Sequence, residues 1–185
     1  SRIKVMAGID IARRRIPQDG RFSITVSGRE VDVRVVTLPS AYGEAAVLRL
    51  LDRGRGIIQL GDLGLGEGDQ NRYERAYRRP QGWVLASWPT GSGKTSTLYA
   101  TLLELNTAER SIVSIEDPIE YRLEGVKQIP INVRAGLTFS SALRSILRAD
   151  PDIILVGEIR DAETASIAPD ASITAPLGLS SIHTP

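Results

Sequence analysis

Trp88-Pro-Thr-Gly-Ser-Gly-Lys-Thr95 is the stretch on which the reading of this chain turns. It stands between Trp83 to Ser87 (WVLAS), an apolar run of strand length, and Gly93 to Leu105 (GKTSTLYATLLEL), a run of helix length. A strand, a glycine-rich turn and a helix in that order form the setting a phosphate-binding loop requires. Gly91 and Gly93 let the backbone wrap closely, so that successive N–H groups can face phosphate oxygens. The helix that follows adds the partial positive charge of its N-terminus. Lys94 would reach the β- and γ-phosphates of a nucleotide, and Thr95 would hold Mg2+ through its hydroxyl. The expected cradle runs from Pro89 through Thr90, Gly91, Ser92, Gly93, Lys94 and Thr95 to Ser96. The competing reading is a chance Gly/Ser turn before a helix, and an intact GSGKT in this setting argues against it.

One position departs from the pattern G-x-x-x-x-G-K-[ST]: Trp88 stands where the first glycine belongs. In a left-handed backbone a bulky residue there costs on the order of 1–2 kcal/mol. The indole also needs room, and the nearest room is the space a phosphate would fill. Sterics alone favour a damaged loop over an indole that simply turns outward.

Outward from the loop, strands and helices alternate. A helix from about Asp69 to Arg79, stopped by Pro80, precedes the strand before the loop. After it come a strand at Ser111 to Ile115 (SIVSI) and a helix at Thr138 to Leu147 with Leu143, Ile146 and Leu147 on one face. A third strand follows at Asp152 to Val156 (DIILV), then a helix at Ala162 to Ala171 and a short strand at Leu179 to Ile182. Short apolar strands separated by helices imply an α/β fold with a mainly parallel sheet covered on both faces. Asp52 to Gly68 is glycine-rich and reads as a linker. Before it, Arg21 to Ser27 and Glu30 to Leu38 alternate apolar with polar around Ser27-Gly28, the pattern of a hairpin. Ala45 to Leu51 is apolar around Arg49 and fits a strand or a short helix. The expected division is a small domain over residues 1–52, a linker over 53–68 and the larger α/β domain over 69–185.

Asp152-Ile-Ile-Leu-Val-Gly-Glu158 looks like a Walker B strand ending in an acid, expected beside the phosphate loop. Glu116-Asp-Pro-Ile-Glu120 would leave the same carboxyl edge of the sheet, where ligands of open α/β folds gather. Either cluster alone reads as a solvated strand end, whereas with the loop they read as catalytic. Arg34 and Arg49 lie within apolar strand-like segments, which fits either an exposed strand face or a partnered role. Arg144, Arg148 and Arg160 flank the Walker B strand and are placed to neutralise phosphates or bridge subunits. Arg13-Arg14-Arg15 is an ordinary solvated run.

With 23 Lys and Arg against 22 Asp and Glu, no bulk field draws the chain to nucleic acid or membrane. It has no cysteine, which removes disulfides and thiolate metal sites. No apolar run approaches the roughly 18 to 20 residues of a membrane helix. The opening Ser1-Arg-Ile-Lys-Val reads as a cut inside a longer protein.

Nearly the whole chain resembles the secretion ATPases that power type II secretion and type IV pilus assembly. The resemblance runs through KVMAGIDIARRRIPQDGR, GREVDVRVVTLPS, LRLLDR, PTGSGKT, EDPIEY, GLTFSSALRSILRADPDIILVGEIRD and IHT. PTGSGKT is common to many nucleotide hydrolases, whereas EDPIE with LRSILRADPDIILVGEIRD is highly specific. The family implies a small α/β domain ahead of a RecA-like ATPase domain, in cytoplasmic homo-hexamers peripheral to the inner membrane. It implies ATP and Mg2+ as cofactors, an inner-membrane platform protein as partner, and no nucleic acid. Carried over by motif, Gly91, Gly93, Lys94 and Thr95 would bind phosphate and metal, with Glu158 on the metal as well. Glu120 in the aspartate box and Glu158 in the Walker B strand would be catalytic acids. Arg34 and Arg49 match arginines that reach the nucleotide from the smaller domain, and Arg144, Arg148 and Arg160 match arginines of the ATPase core. His183 matches the second histidine of the family's histidine box, although a lone histidine by itself reads as a surface residue.

The departures bear on activity. The family has glycine at Trp88, and threonine-glycine-histidine where this chain has Thr174-Ala175-Pro176. Pro169 and Asp170 are expected to interrupt the preceding helix, since an interior proline costs about 3 kcal/mol. The sequence ends at Pro185, just past the histidine box, and against the family pattern the later helices, the cysteine-rich metal loop of members that have one, and the leading recruitment domain are expected to lie outside it. The expected function is an ATP-hydrolysing motor subunit. The alternative is a degenerate, non-catalytic relative acting as an interaction module. A nucleic-acid motor on the same fold is set aside, because charge is balanced and no basic stripe carries interleaved aromatics.

Overall fold

A computed structural model describes residues 1–52, 58–89, 91–174 and 176–182. Two compact units result, Ser1–Gly56 and Ile57–Pro185. In the first, helix α1 (Arg2–Met6) precedes strands β1 (Gln18–Val26), β2 (Arg29–Ser40) and β3 (Gly43–Asp52), which pair antiparallel in that order. The turn between β1 and β2 is the two-residue Ser27-Gly28, both with positive φ (50° and 76°), the geometry that matches strand twist in a tight hairpin. Alternation sets the faces. Val33, Val35 and Thr37 are buried, and Ile3, Ala7, Phe22, Ile24 and Val31 join the two valines in one cluster. Gly20 permits the end of α1 to lie on β1, since a Cβ there would sit 2.5 Å from the Ala7 carbonyl oxygen. Ala45 to Leu51, left open between strand and helix, is part of β3, held in full register against β2.

The second unit contains a 3-10 turn (Leu60–Leu63), α2 (Glu67–Tyr77), β4 (Gly82–Ser87), α3 (Lys94–Leu105), β5 (Ile112–Glu116), β6 (Val126–Pro130), α4 (Phe139–Leu147), β7 (Ile153–Val156), α5 (Ala162–Thr174) and β8 (Leu177–Ile182). Five parallel strands form one sheet in the order β4-β8-β7-β5-β6. The α/β class with a parallel sheet, expected from the alternating apolar runs, is therefore observed. Ile112, Ile153, Leu155, Leu177 and Leu179 face α3, packing with Leu98, Tyr99, Leu102 and Leu105. Val113, Ile115, Ile154 and Val156 face the other way, onto Ala142, Leu143 and Ile146 of α4 and Ile167 of α5. Leu60, within the stretch read as a linker, is buried against the α3 side.

Three expectations need correction. The Walker B strand β7 is not beside the loop-bearing strand β4, because β8 lies between them. Helix α5 is not interrupted at Pro169 but continues to Thr174. Its buried Thr164 and Ala168 anchor the helix, and such packing outweighs the local preference against proline. Strand β6 had not been expected at all. Between β4 and β8 the fit is close: an ideal Cβ at Gly178 would lie 2.4 Å from Trp83 Cδ2, so the indole occupies the place of a side chain.

Candidate nucleotide-binding site

Strand β4 ends at Ser87, and α3 begins at Lys94 after six intervening residues. Gly91 and Gly93 take φ of 82° and 91°, the left-handed region that favours glycine. Around both, no atom of the described residues beyond the chain neighbours comes within 4 Å of an ideal Cβ. Lys94 is folded back and buried, its Nζ donating to the carbonyls of Trp88 and Pro89 (3.0 Å to the latter). Ser92 Oγ donates to the Pro89 carbonyl at 2.8 Å and Thr97 Oγ1 to the Gly93 carbonyl at 3.0 Å, which tie the loop to itself and to the first turn of α3. Thr95 is exposed in that turn, and Ser96 is half-buried behind it. Thr90 lies outside the described residues.

Trp88 is not where sterics had put it. The residue is 63% exposed, and among the described residues only Ser27 and Asp150 are non-glycine residues with positive φ. The left-handed strain is therefore absent, and the indole turns outward. What the loop uses at position 88 is the backbone carbonyl.

Because β4, β5 and β7 run parallel, the loop, the segment from Glu116 to Glu120 and Glu158 all leave the same edge of the sheet. Glu158 is fixed from both sides: Gly157 N donates to the Ile115 carbonyl (2.8 Å), and Ile159 N donates to the Ser181 carbonyl (3.0 Å). Ser181 Oγ closes the clasp on the Gly157 carbonyl at 2.7 Å. The Glu158 side chain is 12% exposed and pairs with Arg160 Nε at 2.6 Å. That bond is the main cause holding the Arg160 guanidinium above its ordinary pKa. Glu120 is half-buried, and its N–H donates to the Tyr99 hydroxyl at 3.3 Å.

The arginines separate. Arg144 pairs with Glu163 in the first turn of α5 at 2.8 Å. Arg148 caps the far end of α4, donating to the Arg144 carbonyl at 3.0 Å. From there the chain enters β7 at its amino end, the sheet edge opposite the phosphate loop. Arg34 and Arg49 belong to the first unit and face one another across β2 and β3. The register also sets Arg21 opposite Arg34, a third cation in the row that had not been singled out. His183 lies outside the described residues. Glu116 had been noticed only as part of an acidic run, and Tyr99 only as helix. Their spacing of 17 residues carries no local signal.

A parallel sheet, a glycine-lined loop entering a helix and acids on the same edge define a phosphate-loop protein with a RecA-like core. A model of the Type II/IV secretion system protein family matches residues 1–185, and the chain belongs to that family. It is 57% identical over 184 residues to Type II secretion system protein E of Pseudomonas aeruginosa and 52% identical to Type II secretion system ATPase E of Vibrio cholerae. All of this chain is covered in both alignments, but only 37% of either relative. Among solved structures, the pilus retraction motor PilT with bound ADP superposes with a TM-score of 0.73 at 34% identity. That superposition covers 90% of this chain and 48% of PilT. The ATPase DotB of Legionella pneumophila gives the same TM-score at 25% identity, over 91% of this chain and 48% of DotB. The family expected from the motifs is therefore confirmed. No helix among the described residues is long and apolar enough to cross a membrane.

Proposed function

We propose that this chain is the nucleotide-binding part of a motor subunit for type II secretion or type IV pilus assembly. In this reading it binds Mg-ATP and hydrolyses it within a homo-hexamer that works in the cytoplasm against an inner-membrane platform protein. The observation that carries the reading is the loop itself: two left-handed glycines, a buried lysine bonded to the carbonyls of Trp88 and Pro89, and a helix that starts at that lysine. Backbone N–H groups of Gly91 to Lys94 would receive phosphate oxygens, and Lys94 would exchange its carbonyl partners for the β- and γ-phosphates. Mg2+ needs few protein ligands when phosphates supply the rest, so the Thr95 hydroxyl and the Glu158 carboxylate suffice as its protein side. When bound, the ion supplies charge neutralisation at the transferring phosphoryl group. Glu120 and Glu158 would then orient and deprotonate the attacking water, and His183 is assigned to catalysis on resemblance alone. Arg160, Arg144, Arg148, Arg34 and Arg49 are assigned to phosphate or subunit contacts on resemblance alone.

The second reading, a non-catalytic relative acting as an interaction module, keeps one support: Pro176 stands where the family has a histidine. Titration calorimetry with Mg-ATP separates the two. The expected result is micromolar binding by the chain and a dissociation constant at least tenfold weaker in Lys94→Ala. Well-folded protein with no binding would overturn the motor reading.

A further inference from the structure

Behind the acids lies a buried polar cluster that joins three elements. Tyr99 in α3, five positions beyond Lys94, is 1% exposed, and its hydroxyl donates to Glu116 Oε2. Glu116, 3% exposed at the end of β5, accepts at its other oxygen from Ser114 Oγ (2.5 Å) and Gln128 Nε2 (3.2 Å). Gln128 of β6 in turn donates to the Tyr121 carbonyl (2.9 Å) and accepts from Leu123 N (2.8 Å). The Tyr121 ring meets Tyr99 edge-on with centroids 5.9 Å apart. Because the Tyr99 proton points at Glu116, an oxygen lone pair is left for the Glu120 N–H.

A carboxylate this deep is costly unless its lone pairs are engaged, and an apolar side chain would fill the place without that cost. What the carboxylate supplies is direction: it turns the Tyr99 hydroxyl so that Glu120 is gripped from behind. Burial first, then the bond to Glu116, raises the Tyr99 phenol well above its ordinary pKa, so it remains a donor at every physiological pH. We propose that Tyr99 and Glu116 are positioning residues that lock the backbone of Glu120 to the phosphate-loop helix, so that the acid and the phosphates keep one register. This rests on the reading of Glu120 as a reaction acid.

The test is Tyr99→Phe in the full chain, read by amide hydrogen exchange and by single-turnover hydrolysis of Mg-ATP beside its dissociation constant. Exchange of the Glu120 amide should accelerate on the order of tenfold, because one hydrogen bond is lost. Single-turnover rate should fall about 10–100-fold, as when the support of a reacting group is removed, with the dissociation constant within twofold. A purely structural tyrosine would lower melting temperature and leave the rate per folded molecule unchanged, which would overturn the proposal. Unchanged exchange at Glu120 would overturn it as well, whether or not the parent hydrolyses ATP. A parent that binds but never hydrolyses defeats the motor reading instead, and exchange then decides the lock alone. Should Tyr99→Phe fail to fold, Glu116→Gln keeps shape and an acceptor, and is expected to retain an intermediate rate with affinity intact. A Glu116→Gln rate equal to the parent's would count against the proposal.

Discussion

Trp88→Gly restores the glycine of the phosphate-loop pattern, and two physical accounts give opposite signs for its effect on Mg-ATP affinity. If the indole strained or filled the loop, its removal would release on the order of 1–2 kcal/mol, which is about 5–30-fold tighter binding. The geometry argues otherwise. Position 88 is outside the left-handed region, the residue is 63% exposed, and what it gives to Lys94 is its backbone carbonyl, which glycine also has. Nothing is then released, and what changes is the freedom of the backbone. Glycine costs about 0.5–1 kcal/mol more to order than a residue with a Cβ, and the loop must be ordered around a phosphate. Affinity should therefore be unchanged or about 2–5-fold weaker. Titration calorimetry on the parent and the variant, at equal Mg2+, reads the difference directly. A tenfold tightening, or binding by the variant where the parent shows none, would refute the argument and return the indole to the phosphate site.

Two further outcomes follow from local geometry. Gly178→Ala places a Cβ 2.4 Å from Trp83 Cδ2, so the indole must retreat on the order of 1 Å at a cost of about 1–3 kcal/mol. The melting midpoint should fall by several degrees and recover in part when Trp83→Leu is added, and an unchanged midpoint in the single variant would contradict the packing. Asp161 accepts from Thr164 N (2.7 Å) and Thr164 Oγ1 (3.0 Å) at the start of α5, and these bonds, the backbone one first, hold its carboxyl below the ordinary 3.8. A depressed folded pKa means stabilisation that is full above the unfolded value and lost as pH falls through the folded one. Asp161→Ala should therefore lower the midpoint at neutral pH and flatten its decline below about pH 4, and matching acid limbs in parent and variant would count against the cap.

The phosphate loop was legible because its chemistry demands particular residues at contiguous positions, and the parallel sheet because strands buried on both faces read as unbroken apolar runs. What escaped depends on neighbours distant in sequence. Strand β6 (VKQIP) is an edge strand, so it keeps Lys127 in water, tolerates Pro130 at its end and shows no apolar run. The insertion of β8 between β4 and β7 is written in no window of sequence, since it follows from how Leu177, Gly178 and Leu179 fit their partners on either side. The direction of the Trp88 side chain is set by the backbone of a loop whose conformation two glycines leave free, so the residue's bulk invited the wrong conclusion.

The acids show the same limit at finer grain. Motif spacing distinguishes Glu120 and Glu158 as groups that leave the sheet edge, but it treats Glu116 as one more carboxylate in the same run. Strand alternation separates them, because Ile112, Ser114 and Glu116 share a face of β5 and that face looks onto α3. A carboxylate on that face meets Tyr99 before it meets solvent. Its role is then to be a fixed acceptor in the interior, and the reacting charge is left to the residues that follow it out of the sheet.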